Sequence, residues 1–339
     1  SLVGSEMCIR DRSGAPSSAG ACSRQQISDR MAAVNHTALP VTVIGGYLGA
    51  GKTTLVNHLL RHADGLKIAV LVNEFGALPI DADLIEAQDD NMISIAGGCV
   101  CCSYGNDLML AMIDLAQLSP RPDHVLLEAS GVALPGAIAS SIGLLSHYRL
   151  DGVAVLADAE TVRTRANDTY MGDTIRRQLE DADLIVLNKT DLINDAALSQ
   201  TRDWLTGDFA MSKSVETRHA HLPIDVALGR IHTDQEASEP GRPLHHGDLF
   251  ASESFALDHP IDAEQLMQEL TAPELGIVRA KGFTLTSDGK RREVQIVGHR
   301  WSVVDARHGA QSRIVCIGTK AQFRPDLVDR VIRRLTPAR

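Results

Sequence analysis

Short apolar runs rich in β-branched residues recur along the first part of the chain, at 41–45, 68–72, 92–95, 125–127, 153–157 and 184–187. Each is apolar on both faces, as a strand buried between two layers of a parallel sheet must be. Between the runs, helical periodicity predicts helices over 52–63, 105–117, 174–181 and 195–206. The alternation of strand and helix predicts a doubly wound, mostly parallel α/β sheet. Residues 208–250 have a mixed pattern with Gly241, Pro243 and Gly247, and read as an end-of-domain connection. After it the pattern changes. An alternating stretch at 252–258, a helix at 262–270, strands at 277–285, 292–297, 300–304 and 313–317, and a last helix at 324–335 predict a smaller α+β domain. The expected organisation is an α/β domain over 39–235, a linker over 236–250 and the α+β domain over 251–339.

Composition narrows the class. A chain of 339 residues suggests two domains. Its 44% hydrophobic and 22% charged content is an ordinary soluble balance. A net charge of −10 argues against a general binder of nucleic acid or anionic membranes, while leaving room for a local phosphate site. No run reaches the roughly 18 apolar residues of a spanning helix. The cysteines are Cys8, Cys22, Cys99, Cys101, Cys102 and Cys316. Three fall within four residues, which suits metal or redox chemistry better than a disulfide framework and makes a reducing cytoplasm the expected compartment. Residues 13–24 are rich in Ser, Gly and Ala without apolar periodicity, and 7–12 (MCIRDR) is too polar for the centre of a signal peptide. The opening SLVGSEMCIRDR looks like translated adapter DNA. Residues 1–38 are therefore expected to be a disordered or artefactual extension, with a true start at or near Met31.

The first chemistry-bearing motif follows the first predicted strand. Gly46, Gly51, Lys52 and Thr53 satisfy G-x-x-x-x-G-K-[ST], with an apolar strand before and a helical pattern after. Glycines let the backbone wrap phosphates with inward N–H groups, and the helix N-terminus adds positive potential. The expected phosphate contacts are Gly46, Gly49, Ala50, Gly51, Lys52, Thr53 and Thr54. Lys52 would bridge the β- and γ-phosphates, and Thr53 would place its hydroxyl on Mg²⁺. The run 125–127 ends in Glu128, an apolar strand closing on a carboxylate that would hold the same Mg²⁺ directly or through water. The alternative for Glu128 is a solvated strand end. Lys52, Thr53 and Glu128 are the expected catalytic set, and Gly131 would let its N–H approach the γ-phosphate. Asp81 is either a switch carboxylate or part of a plain surface turn, and Asp158 reads as structural.

Asn188, Lys189, Thr190 and Asp191 form N-K-x-D at the end of the 184–187 run. The C-terminal ends of strands are where open α/β sheets bind ligands. Resemblance to G-proteins implies that Asp191 accepts hydrogen bonds from guanine, with Asn188 bracing the loop and Lys189 covering the base. A site built for that edge rejects adenine, because the carboxylate would be left unpaired.

Cys99, Cys101 and Cys102 follow two glycines after the 92–95 run. In an extended backbone Cys99 and Cys101 share a side, and a turn brings Cys102 round. Three readings stay open: a site for Zn²⁺ or another soft or borderline ion, a redox switch, or packing. Three thiolates leave a tetrahedral ion one ligand short, as a transfer site would. His219, His221, His232, His245 and His246 are scattered in sequence. The His245–His246 pair reads as solvated surface or as a secondary metal contact.

GGYLGAGKTT (45–54), VNEFG (72–76), GGCVCC (97–102), LLEASGVALPG (126–136) and LNKTDL (187–192) together resemble the CobW-like GTPases, relatives of the nickel-insertion GTPases of urease and hydrogenase maturation. IVRAKGF (277–283) resembles that family's C-terminal domain, so the likeness spans about residues 40–335. The resemblance implies a P-loop fold and a GTP-dependent metallochaperone. Its cofactors would be GTP and Mg²⁺, its cargo Zn²⁺ or Co²⁺ on the cysteines, and its partner a client metalloprotein. It implies no nucleic-acid or membrane partner, and a homodimer is one open arrangement. The family usually carries a second Glu after Asn-Glu-Phe-Gly, sometimes as a metal ligand, where this chain has Ala77. No catalytic Gln is visible, which predicts slow intrinsic hydrolysis of about 10⁻⁴ to 10⁻² per second. Two other classes compete: a signalling or assembly GTPase with structural or redox cysteines, and an ATP-using kinase-like P-loop enzyme.

Overall fold

A computed structural model describes residues 38–63, 65–72, 92–96, 106–229, 249–306 and 311–336, and residues 38–339 form one unit. The first strand, β1 (Leu39–Gly46), runs into helix α1 (Lys52–Arg61), then β2 (Ile68–Val72) and β3 (Met92–Ala96). Next come α2 (Asn106–Ala116), β4 (His124–Glu128), α3 (Pro135–Ile142), β5 (Tyr148–Asp158), α4 (Val162–Ala166) and α5 (Gly172–Glu180). The chain continues through β6 (Leu184–Asn188), a 3-10 turn (Thr190–Leu192), α6 (Asp195–Asp208), β7 (Lys213–Glu216) and α7 (Ile224–Leu228). The strands form one seven-stranded sheet in the order β3-β2-β4-β1-β5-β6-β7, every pair parallel. With β1 in the middle, its C-terminal end lies beside those of β4 and β5, so a site at that edge can draw on three strands.

Both faces of this sheet are covered, as its double-sided apolar runs require. On one face Val41, Val43, Leu127, Val155 and Leu187 pack against Met112, Leu115, Ile142 and Leu179 from the helices. On the other, Ile44, Leu126, Leu156 and Val186 pack against Leu55, Val56 and Leu59 of α1. That second core also takes in Phe250, Val278 and Ile317 from the following part of the chain.

That part starts with β8 (Phe250–Ala256), α8 (Ala263–Leu270), a 3-10 turn (Pro273–Leu275) and β9 (Ile277–Leu285). It ends with β10 (Arg291–Val297), β11 (Arg300–Asp305), β12 (Arg313–Thr319) and α9 (Pro325–Leu335). The strands form an antiparallel sheet in the order β11-β10-β9-β12-β8. Leu266, Met267 and Leu270 of α8 and Val328 and Ile332 of α9 bury against Ala280, Val294, Ile296, Ile314 and Cys316. The Asp262 side chain caps α8 by accepting from Gln265 N at 2.9 Å.

The two sheets meet through buried charge. Arg279 of β9, 1% exposed, pairs with Asp151 of β5, also 1% exposed. Its Nη1 donates to Ala227 O at 3.0 Å, and Gln295 Nε2 donates to Asp151 Oδ1 at 2.9 Å. Burial pushes the Asp151 carboxyl up, but Arg279, His124 and Lys281 outweigh it and hold it below the usual carboxylate range. Thr42 Oγ1 donates to Asp151 Oδ2 at 3.3 Å and lies 2.8 Å from His124 Nε2. With its own hydrogen given to Asp151, Thr42 takes a proton from Nε2, the tautomer of a neutral imidazole. Burial lowers the His124 pKa to about 4. At the other end of the junction, Arg300 Nε donates to the fully buried Asp183 at 2.9 Å. Gly298 has φ 57°, and a Cβ there would stand 1.6 Å from Asp183 O, so only glycine fits.

The predicted strands and helices outside 208–250 are present within a few residues of their expected bounds. The reading of 208–250 as an end-of-domain connection is corrected, because it contains β7 and α7. Strand β7 has four residues with only Val215 buried, and α7 has five residues buried all round, so neither shows a period. Helices α3 and α4 were not expected. Helix α3 opens on Pro135, and Gly136 N donates to Asp181 Oδ2 at 2.8 Å, a contact that holds the first turn.

Candidate functional site

The loop between β1 and α1 turns through three glycines in the left-handed half of backbone space, Gly46 (φ 129°), Gly49 (φ 77°) and Gly51 (φ 105°). Gly51 is the critical one, since a Cβ on it would meet Asn188 Nδ2 at 2.6 Å. Helix α1 starts at once, with no side chain capping its first amides and no acidic residue in its first turn. Its N-terminal dipole, met by no acidic side chain, suits an anion. Ala50 and Lys52 are buried, Thr53 is half-buried and Thr54 is exposed. The Thr53 hydroxyl donates to Glu128 Oε1 at 2.9 Å. Glu128 is 2% exposed and closes β4, in register with Ile44 of β1. A hydroxyl and a carboxylate meeting beside a phosphate loop are the hard oxygen donors that suit Mg²⁺.

Past Glu128, the chain folds back over the phosphate loop. Gly131 lies so close under Leu48 that a Cβ would meet Leu48 N at 2.9 Å. Gln178 of α5 holds this return by donating Nε2 to Gly131 O at 3.0 Å and to Ala133 O at 2.8 Å. Arg165 of α4 donates to Leu48 O at 3.1 Å and stacks over the Tyr47 ring at 5.3 Å. Neither Gln178 nor Arg165 was expected from sequence. Their partners are backbone carbonyls more than 40 residues away, and no local pattern marks such contacts.

The N-K-x-D segment knits three segments together. Asn188 Nδ2 donates to Ala50 O of the phosphate loop at 3.0 Å, and Asn188 Oδ1 accepts from Ala220 N at 2.8 Å. Lys189 sits at φ 62° and pairs with Asp158 Oδ2 at 2.8 Å. Asp158 also accepts from Glu160 N at 3.0 Å, so its part is to fix Lys189 and its own turn. Thr190 donates to Thr217 O at 3.1 Å, and Asp191 stands exposed on the 3-10 turn.

The loop after β7, residues 217–222, is the piece sequence reasoning missed. His219 (φ 53°) and Ala220 (φ 54°) are left-handed without being glycine, a cost the Asn188 contact helps to hold. The only available signal was a polar run after a short strand. His221, scattered on paper, is brought to α1, where its ring stacks on His58 at 4.7 Å and His58 lies 4.4 Å from His62, while the His219 ring lies 6.0 Å from His221. Burial first, then His62 and His221, lowers the His58 pKa to about 4. Among the described residues no group of three or more His, Cys, Asp or Glu is arranged to hold a metal ion. Cys99, Cys101, Cys102, Ala77, Asp81, His232, His245 and His246 lie outside the described residues. No helix among the described residues is long and apolar enough to cross a membrane.

Residues 40–215 match the family model of the CobW/HypB/UreG nucleotide-binding domain, and residues 250–335 match that of the cobalamin synthesis protein cobW C-terminal domain. The chain is 32% identical over 331 residues to the zinc chaperone CobW of Pseudomonas aeruginosa, covering 83% of this chain and 87% of that one. It is 30% identical over 313 residues to a zinc chaperone CobW of a Sinorhizobium species, covering 79% of this chain and 88% of that one. It is 31% identical over 194 residues to the zinc-regulated GTPase metalloprotein activator 1 of Schizosaccharomyces pombe, covering 54% of this chain and 47% of that one.

Proposed function

The chain belongs to the CobW/HypB/UreG family, and from that premise we propose that it is a GTP-dependent metallochaperone, hydrolysing GTP to GDP and phosphate to drive transfer of zinc to a client metalloprotein. The observation that carries the nucleotide half is the knot at Asn188, which joins the phosphate loop at Ala50 to the base-side loop at Ala220. In this reading the loop Gly46–Thr54 and the N-terminus of α1 hold the phosphates, and Lys52 neutralises them. Asp191 takes the guanine edge, and Lys189, fixed by Asp158, covers the base. Thr53 and Glu128 would hold Mg²⁺, which supplies charge neutralisation at the β- and γ-phosphates. Gly131, under Leu48 and held by Gln178, would sense the γ-phosphate.

The cargo half rests on the spacing of Cys99, Cys101 and Cys102 and on relatives named zinc chaperones. Three thiolates with an open fourth position favour release over storage. Thermodynamic linkage then joins the halves. If GTP and metal prefer one conformation, each tightens the other by the same factor, and loss of the γ-phosphate loosens the metal. Co²⁺ is the second cargo this reading admits, the cytoplasm is its compartment, and a homodimer is an arrangement it allows.

Zinc titration of the protein loaded with a non-hydrolysable GTP analogue is the test, run beside a variant with all three cysteines changed to serine. The variant is expected to lose its tight zinc site, and equal affinity in the two would overturn the cargo assignment. ATP binding tighter than GTP would overturn the role of Asp191.

A further inference from the structure

A cavity of about 950 Å³ opens on the antiparallel sheet, far from the phosphate loop in sequence, between β8 and α9. Four consecutive residues of β8, 253–256, line it. Successive side chains of a strand point to opposite faces, so a cavity touching all four lies along the strand's edge. Strand β8 is the last in its sheet, paired with β12 on one side and with no described strand on the other. Leu257 N donates to Ser312 O at 3.0 Å, and Leu249 O accepts from Lys320 N at 3.0 Å. N–H and C=O groups alternate sides along an antiparallel strand, so odd-numbered residues face β12. Ser252, Ser254 and Ala256 therefore turn their backbone groups to the edge that no described strand pairs.

The opposite wall is one face of α9, where Pro325, Asp329, Ile332 and Thr336 follow at helical spacing. That wall is roughly 16 Å long, the reach of an extended segment of about five residues. Phe255 and Ile332 make an apolar floor. The rim is acidic, with Glu253, Asp258, Asp326 and Asp329 against Arg333 and His259. Asp326 and Asp329 pair along the helix with Arg330 and Arg333, at 2.9 Å and 2.6 Å. Glu253 and Asp258 pair with no described cation.

We propose that this groove docks an extended segment of a partner protein, with lysine or arginine at alternate positions, which adds to the sheet as a new strand beside β8. The main chain of Ser252, Ser254 and Ala256 supplies the hydrogen bonds, Glu253 on the α9-facing side draws the alternate cations with Asp258 past the strand's end, and Phe255 and Ile332 pack under their aliphatic stems. Only the identification of the partner as the metal client rests on the proposed function. The docking chemistry stands without it.

The test uses the full chain and two fluorescent nine-residue peptides, one alternating Lys and Val, the other Glu and Val. The Lys peptide is expected to bind at least about tenfold more tightly, with a preference that falls as salt rises. Ser254→Pro keeps an edge strand intact, because its N–H faces outward, and is expected to weaken binding about tenfold by removing a main-chain donor. Glu253→Lys with Asp258→Lys, both exposed, should erase the preference if Ser254→Pro fails to fold. GTP affinity, measured on the same samples, should stay unchanged, so a failure of the docking is distinguishable from a failure of the nucleotide reading. Equal binding of the two peptides overturns the proposal, as does full binding by a folded Ser254→Pro. A dimer that Ser254→Pro dissociates overturns it in favour of a second copy on the edge.

Discussion

The two sheets treat their backbones differently. Among the described residues every non-glycine with a left-handed backbone, Lys189, His219 and Ala220, lies in the loops beyond β6 and β7 of the parallel sheet. Together with Gly46, Gly49 and Gly51 they crowd one edge of that sheet. In the antiparallel sheet and its helices, positive φ is confined to Gly276, Gly289 and Gly298. Strain is held where the surrounding structure over-determines it, here by Asn188, Thr217 and Asp158. The antiparallel half keeps an ordinary backbone and puts its costly feature elsewhere, in the buried charges that bind it to its neighbour. One half is organised around a ligand and the other around a junction.

The sharpest way to break that contrast is at the junction. Arg279→Leu leaves Asp151 buried without its cation, and should cost about 3–5 kcal/mol in denaturant unfolding. Changing Asp151 to Leu as well should restore much of the loss. A single variant as stable as the parent would show that the pair is not what joins the sheets.

Acid tests the same junction. His124 is fully buried with a pKa lowered to about 4, against 6.5 when unfolded. Its contribution is therefore complete above pH 6.5 and is lost as pH falls towards 4. That loss is on the order of 3 kcal/mol, because the unfolded chain takes up the proton first. His124→Gln should flatten stability between pH 7 and 5, and an unchanged slope would assign the loss to other groups.

On the ligand side, Asn188→Ala removes the bonds to Ala50 O and from Ala220 N. GTP affinity should fall roughly ten- to a hundredfold, as expected for buried groups left unsatisfied. Calorimetry showing parental affinity would separate the knot from binding. A smaller effect, of opposite sign for stability, is expected at Ala220. Glycine there relieves the left-handed strain but frees the unfolded chain, for a net gain under about 1 kcal/mol by thermal unfolding. A marked loss instead would mean that the Ala220 methyl is needed for packing. The smallest effect should come from the exposed Asp326–Arg330 pair, where Asp326→Asn is worth less than about 0.5 kcal/mol. A larger cost would show that α9 depends on its surface charge.

Much of the first half was legible because its signals are local. Runs apolar on both faces mark parallel strands, since helices must cover both sides. The G-x-x-x-x-G-K-[ST] and N-K-x-D motifs announce themselves because phosphate wrapping needs particular residue types at particular spacings. Glu128 was readable as the polar end of an apolar run. Strand β7 and helix α7 were not, because four or five residues are too few to show a period. Arg165 and Gln178 were hidden for a different reason: each acts on a carbonyl brought near only by the fold.

By itself, then, the sequence determined the class of sheet, the P-loop and the family. Those depend on nearest neighbours along the chain, on periodicity and on side-chain chemistry. The tertiary structure alone decided that Asn188 ties Ala50 to Ala220, that Asp151 and Arg279 share one buried site, and that β8 ends its sheet with an edge turned towards α9. Those are meetings of groups between 32 and 138 residues apart, and only the packing of two sheets on a common core brings them within reach of one another.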